Sequence, residues 1–309
     1  MSVEFMQWVC QDYVWITGLV SGREVRGLVS HPCPRTSFEP MKDRPALFKK
    51  FAQLGLCLDP LNLDAIRAFA CEYGTLGRYA RMTLTHTDGL PPWVGPEPVS
   101  QTIVETSDDW QNEARIMAAA VELYDAIRSQ NKAKLEEAIT LEGSASLLYK
   151  IECGGSSESS CVDLHRASNS YLRPAYEQRD IATLARACLA QVVNGHLDDT
   201  SASFEGTLNV IEIRKGNTRA GIVCRADGGL ELHTIPTSLL GALWMQFALV
   251  VTGQREFKTC PNCLSDFEVG WEKEGERETK KRSAKYCSQG CHDAYHNRRK
   301  KNPAHAPEK

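Results

Sequence analysis

Four cysteines near the end of the chain constrain its fold most. Cys260-Pro-Asn-Cys263 and Cys287-Ser-Gln-Gly-Cys291 form a Cys-x2-Cys pair and a Cys-x3-Cys pair, separated by 23 residues. Four thiolates at such spacing suit a tetrahedral zinc ion, with zinc–sulfur distances of about 2.3 Å. A closed set of four leaves no open position, so the expected ion is one structural Zn²⁺. Ser288 stands where it can cap a helix beginning at Gln289. Cys291 then falls in the first turn, where the partial positive charge of the helix end favours a thiolate. Large apolar residues are few in 257–302, the aromatic ones being Phe257, Phe267, Trp271, Tyr286 and Tyr295. That is too little to fold such a segment alone, so metal binding must supply the stability. His292 and His296 are alternative ligands, but Cys291 already completes the set. Cys153, Cys161 and His165 lack ligand spacing and read as a solvated Gly/Ser-rich loop.

The other eight cysteines are scattered singly, several inside apolar stripes such as IATLARACLAQVV around Cys188. That pattern fits buried free thiols in a reducing compartment. The most apolar run, residues 238–251, falls short of the roughly 20 residues that span a bilayer. The N-terminus carries Glu4 and Asp12 and lacks a basic leader. A cytoplasmic protein with no membrane partner is the expectation.

The periodicities give an α+β chain: a helix-dominated body over 1–256 with short antiparallel strands, a zinc finger over 257–302 and a disordered tail over 303–309. Residues 8–30 read as a hairpin about SGRE, and HPCPRTSFEP as a Pro-rich loop. Helices are expected over 44–54 and 61–73, the second ending near Gly74. The Pro/Gly-rich stretch 83–103 reads as a long loop and a possible subdivision of the body. The clearest helix is 107–129, with Trp110, Ala114, Met117, Val121 and Tyr124 on one stripe and a Thr106/Asp109 capping pair. A second helical piece follows at NKAKLEEAI. CGGSSESSC reads as a flexible loop. A helix over 180–193, capped by Asp180, should bury Ile181, Leu184, Cys188 and Val192. Strands are expected at 204–214, 219–226 and 230–235, then an apolar helix opened by Thr237 and ended by Gly253.

The finger resembles those of bacterial CGNR-type zinc-finger proteins, described as stress-induced transcription regulators with an ABATE-type N-terminal domain. The resemblance rests on Cys260, Cys263, Phe267, Tyr286, Cys287, Ser288, Cys291, Arg298 and Arg299, and on the junction LLGALWMQFALVVTGQREFKTCPNC. It covers the finger closely and the body loosely. It implies zinc binding, nucleic-acid contact and transcription regulation. Three features depart from that pattern. Cys291 is followed by His292, Asp293 and Ala294 rather than Gly-Asn-Arg. Leu264 stands where such knuckles often carry a glycine, which would ease a positive φ. The loop between the cysteine pairs is lengthened by the acidic WEKEGERETK.

Charge points to an anionic partner for the chain's end. Residues 1–257 carry a net −7 and residues 266–278 a net −4, whereas 279–301 carry +7. The candidate nucleic-acid contacts are Lys280, Lys281, Arg282, Lys285, His292, His296, Arg298, Arg299, Lys300 and Lys301. On a helix from residue 289, Cys291, Ala294, Tyr295 and Arg298 face the metal. His292, His296, Arg299 and Lys300 face outward, where a groove or phosphates, DNA first among the partners, could be met. The alternative is a zinc-braced protein–protein interaction module. The body is a candidate for homo-oligomerisation. No Gly-x-Ser-x-Gly, phosphate-cradling Gly/Lys loop, Gly-x-Gly-x-x-Gly or His-Glu-x-x-His is present, so an enzyme is not expected.

Overall fold

The computed structural model describes residues 8–10, 12–30, 36–56, 62–84, 101–142, 146–153, 156–163, 175, 178, 180–198, 218–224, 230–270 and 281–301. The chain divides into two compact units, Met1–Met245 and Gln246–Lys309. Helices and short antiparallel strands make it an α+β fold.

Strand β1 (Trp8–Cys10) precedes the expected hairpin of β2 (Tyr13–Val20) and β3 (Arg23–Ser30). Val20 pairs with Arg23, and the two residues between, Ser21 (φ 51°) and Gly22 (φ 81°), both take positive φ. That is the turn whose twist matches right-handed strands. The stretch read as a Pro-rich loop ends in a strand, β4 (Thr36–Phe38), which pairs antiparallel with β1. β-Branched and aromatic residues accept that pairing once a partner strand is present.

After a short α1 (Pro40–Asp43) come α2 (Leu47–Leu56) and α3 (Leu63–Tyr73). The Asn62 side chain caps α3, accepting the Ala65 N–H at 3.0 Å, and Gly74 (φ 89°) ends it. Strands β5 (Ala80–Leu84) and β6 (Gln101–Thr106) flank the Pro/Gly-rich stretch and pair with each other, Ala80 opposite Val104. Residues 85–100 lie outside the described residues. β2, β3, β6 and β5 close into a four-stranded barrel around Ile16, Met82 and Val104.

Helix α4 (Ser107–Arg128) starts directly from β6. Thr106 caps it: its hydroxyl oxygen accepts the Asp109 N–H at 3.1 Å and donates to the Asp109 carboxylate at 2.6 Å. Trp110, Ala114 and Met117 are fully buried, as the stripe predicts, but Val121 and Tyr124 are only half-buried. Leu123 and Ala126 carry the buried face onward instead. Where α2 crosses α4, a Cβ on Gly55 would lie 2.2 Å from the Ala114 carbonyl oxygen, so only glycine permits this crossing. Phe51 and Phe69 meet the Trp110 ring edge-on, at 6.2 and 6.0 Å between centroids.

Helix α5 (Lys132–Ala138) leads into a three-stranded antiparallel sheet of β7 (Ile139–Glu142), β8 (Ser146–Cys153) and β9 (Ser156–Asp163). Most of CGGSSESSC is therefore hairpin rather than loop. Serine has little strand preference of its own, but β8, alternating through Leu147, Tyr149 and Ile151, offers a full ladder for β9 to join. Cys153 pairs with Ser156 and Cys161 with Leu148. At about 3.3 Å per residue the two cysteines stand far apart along the hairpin. His165 lies outside the described residues.

Helix α6 (Ile181–Asp198) is capped by Asp180, which accepts the Thr183 N–H at 3.2 Å. Leu184, Cys188 and Val192 are buried; Ile181 is half-buried. β10 (Thr218–Cys224) pairs with β11 (Leu230–Pro236), and the strand expected at 204–214 lies outside the described residues. The apolar helix α7 (Leu239–Val251) is capped by Ser238, not Thr237: Ser238 Oγ accepts the Gly241 N–H at 2.9 Å. A hydroxyl reaches the third N–H beyond itself, which selects the later residue. Gly253 (φ 71°) ends the helix as expected. The division between units falls within α7.

The C-terminal unit adds a hairpin, β12 (Glu256–Thr259) with β13 (Asp266–Val269), and helix α8 (Gln289–Lys301).

Candidate metal centre

The six residues between β12 and β13 form the first cysteine turn. Thr259 pairs with Asp266, and Thr259 Oγ1 donates to the Asp266 carboxylate at 2.8 Å. Inside that closure the Leu264 N–H bonds the Cys260 carbonyl at 2.8 Å, and the Cys260 N–H bonds the Ser265 carbonyl at 2.9 Å. Closing so tight a loop puts Leu264 at φ 60°, the left-handed region, with its side chain 76% exposed. The second pair enters a helix. Ser288 Oγ accepts the Cys291 N–H at 3.1 Å, and Cys291 sits in the first turn of α8.

These two halves bring all four sulfurs within 4.8 Å of one another. Cys263 Sγ and Cys291 Sγ each lie 3.4 Å from Cys287 Sγ. Among the described residues this is the one gathering of three or more His, Cys, Asp or Glu side chains able to hold a metal ion. Neither His292 nor His296 belongs to it.

The four sulfurs perturb one another's ionisation. Burial pushes the Cys260 thiol up, but the backbone N–H groups of Cys287, Cys263 and Asn262 outweigh it and bring it down to about 6. The Ser288 hydroxyl, the Asn262 side chain and Cys287 lower Cys291. Cys287 goes the other way, to about 12, through burial and then the sulfurs of Cys291, Cys263 and Cys260. Four sulfurs this close cannot all carry charge unless a cation sits among them.

Little apolar surface supports the site. Cys260 is buried with Phe267 and Val269, and Ala284, Tyr286, Cys287 and Cys291 pack against them. Polar ties do the rest. Lys258 Nζ donates to the Arg282 carbonyl, Arg282 pairs with Glu256 at 3.3 Å, and Arg255 pairs with Glu268 at 3.6 Å.

Arg298 lies toward the metal site, as its helix position implies, whereas His292 and His296 depart from the sequence expectation. Arg298 donates through Nη2 to Asn262 Oδ1, which links α8 to the first cysteine turn. His292 and His296 do not simply point outward. Their rings contact Tyr286, at 5.1 and 5.9 Å between centroids, and each other at 4.4 Å. His292 also bonds Asp293 at 2.9 Å. Periodicity places a residue on a helix face but cannot see Tyr286, which arrives from outside the helix. Lys281, Arg282 and Lys285 are exposed. Lys280 lies outside the described residues, and of Arg299, Lys300 and Lys301 the helical backbone alone is described. Sequence spacing carries no signal for the contacts of Asn262 and Tyr286. Asn262 was legible only as the interior of the Cys-x2-Cys turn.

Among the described residues of the body, two carboxylates are buried. Glu113, 2% exposed, pairs with Arg78 at 3.0 Å and lies 3.5 Å from His196. Glu105, 1% exposed, accepts the backbone N–H groups of Leu76, Gly77 and Arg78. Burial nonetheless pushes its carboxyl up to about 8.

No family model, curated protein or solved structure matches the chain. No helix among the described residues is long and apolar enough to cross a membrane. Four gathered cysteines able to hold a metal ion are what the site offers chemically.

Proposed function

We propose that Gln246–Lys309 is a zinc-stapled nucleic-acid-binding module, and that the chain acts as a DNA-binding transcriptional regulator of the CGNR type. Zinc is supported by the donor set and by size. Ligands at about 2.3 Å from a tetrahedral ion stand about 3.8 Å apart, and the sulfurs here, from 3.4 Å to within 4.8 Å, bracket that value. Cys260, Cys263, Cys287 and Cys291 hold one structural Zn²⁺ and leave it no position for substrate. The observation that carries the nucleic-acid reading is the origin of α8: the helix bearing Arg298, Arg299, Lys300 and Lys301 starts at the metal site itself, capped by Ser288. A metal-anchored cationic helix meets phosphates at low entropic cost, with affinity that falls steeply as salt rises.

A protein-docking module is favoured by one set of contacts: Arg282 is engaged by Glu256 and Arg298 by Asn262. One experiment separates the readings. Protein with measured zinc content is titrated with labelled nucleic acid at several salt concentrations. Binding at low salt, lost when Arg298, Arg299, Lys300 and Lys301 are replaced by alanine, is the expected result. Absence of binding at low salt excludes the nucleic-acid reading.

A further inference from the structure

Helix α8 places His292, Tyr295 and His296 at spacings of three and four, so their rings share one stripe. Tyr286, which precedes Cys287, lays its ring against all three. The centroids lie 5.1 Å from His292 at 90°, 5.4 Å from Tyr295 at 55° and 5.9 Å from His296 at 59°. His292 and His296 are 4.4 Å apart, and Tyr295 meets His296 at 5.7 Å and 85°. The Tyr286 hydroxyl lies 3.4 Å from His296 Nε2. None of the four is fully buried, and His296 is exposed. In an edge-to-face contact, the ring that offers its edge keeps both faces out of that contact. Lys285 precedes Tyr286, Lys281 and Arg282 are nearby in sequence, and Arg298 follows His296 by two positions; all four are exposed.

Groove readout asks for a helix face clear of neighbours and carrying donors for base edges. The stripe at 292, 295 and 296 is crossed by Tyr286, and Arg298 is drawn back to Asn262. Partly open ring faces interleaved with cations suit another form of nucleic acid. A duplex hides its base faces in its own stack, whereas an unpaired strand presents them. We propose that Tyr286, His292, Tyr295 and His296 form a base-stacking platform, and that the partner is single-stranded nucleic acid. Its bases stack on the rings, and its phosphates are met by Lys281 and Lys285. This rests on the nucleic-acid reading above and narrows it to unpaired strands.

The test is a fluorescence-anisotropy titration of the full-length, zinc-loaded protein. The probes are a homothymidine strand, a homouridine strand and a mixed-sequence duplex at one salt concentration. Either single strand is expected to bind about tenfold or more tightly than the duplex. His296→Ala and Tyr295→Ala each weaken single-strand binding about tenfold, the effect of losing one stacked base, with zinc content and salt slope unchanged. His296→Phe and Tyr295→Phe retain the affinity, because stacking needs only a ring. A duplex bound as tightly as the single strands overturns this inference and leaves the nucleic-acid function standing. So do alanine variants that bind unchanged. Binding to none of the three probes removes both readings.

Discussion

Cys188 in the body and Cys260 in the C-terminal unit are equally buried, each with no exposed surface. Their surroundings differ. Cys188 lies on α6 among Leu184, Leu189 and Val192, residues of a core that also holds Trp110, Phe51 and Phe48. There a thiol is a small apolar filler. Cys260 shares its cluster with Phe267 and Val269, and three backbone N–H groups act on its sulfur. Burial alone therefore does not distinguish a structural thiol from a ligand. Backbone donors and neighbouring sulfurs do. The body has a large apolar core, whereas the C-terminal unit has a small apolar cluster beside four gathered sulfurs.

Metal removal breaks that comparison most strongly. Structural zinc in small fingers contributes on the order of 10 kcal/mol. Chelation, or Cys260→Ser, is expected to abolish hydrogen-exchange protection in β12, β13 and α8 while α2, α4 and α6 remain protected. Cys188→Ser lowers the stability of the body without loss of zinc. Protection of β12 and β13 that survives complete zinc removal would mean that the apolar cluster suffices by itself.

The converse experiment is a cavity in the body. Trp110 is fully buried and makes edge contacts with Phe51 and Phe69. Trp110→Ala is expected to cost about 3–5 kcal/mol in urea unfolding of the body, with zinc content unchanged. A cost below about 1 kcal/mol would show that the α2–α4 crossing relaxes to fill the space.

Glu105 gives a smaller, pH-dependent effect. Its carboxyl rises from 4.5 to about 8 on folding, so between those values the folded chain keeps a proton that the unfolded chain has released. The stabilisation is complete below pH 4.5 or so and declines as pH rises, being lost above about 8. The slope is at most about 1.4 kcal/mol per pH unit. Glu105→Gln should flatten body stability across that window. A wild-type stability that is flat across that window and climbs with pH only below about 4.5, a climb absent from the variant, would mean that the Leu76, Gly77 and Arg78 N–H groups outweigh burial and keep the group charged.

What could be read from sequence was local. The caps at Thr106, Asp180 and Ser288 and the stop at Gly253 follow from side chains reaching their own backbone or from one left-handed residue. The cysteine spacing likewise encodes its own convergence. What could not be read depends on partners distant in the chain. The Ser156–Asp163 strand exists because β8 templates it, and the barrel closes because β2 meets β5. Glu105 looks like an ordinary strand glutamate until Leu76–Arg78 fold over it. His292 and His296 read as outward cations until Tyr286 is placed against them.

Leu264 is where local and distant constraints meet, and it gives the finest test. The cysteine turn demands φ 60° there, and the 76% exposed side chain contributes little packing in return. An L-residue in that region is strained by about 1–2 kcal/mol, whereas glycine is not. Glycine also gains freedom in the unfolded chain, which offsets roughly half of the relief. Leu264→Gly should therefore stabilise the C-terminal unit by about 0.5–1 kcal/mol and tighten apparent zinc binding about threefold in chelator competition, since metal binding and folding are coupled there. Leu264→Ala, which keeps a Cβ at the same φ, should change neither. Were alanine to match glycine, the gain would come from trimming an exposed apolar side chain, and the backbone strain assigned to this turn would be wrong.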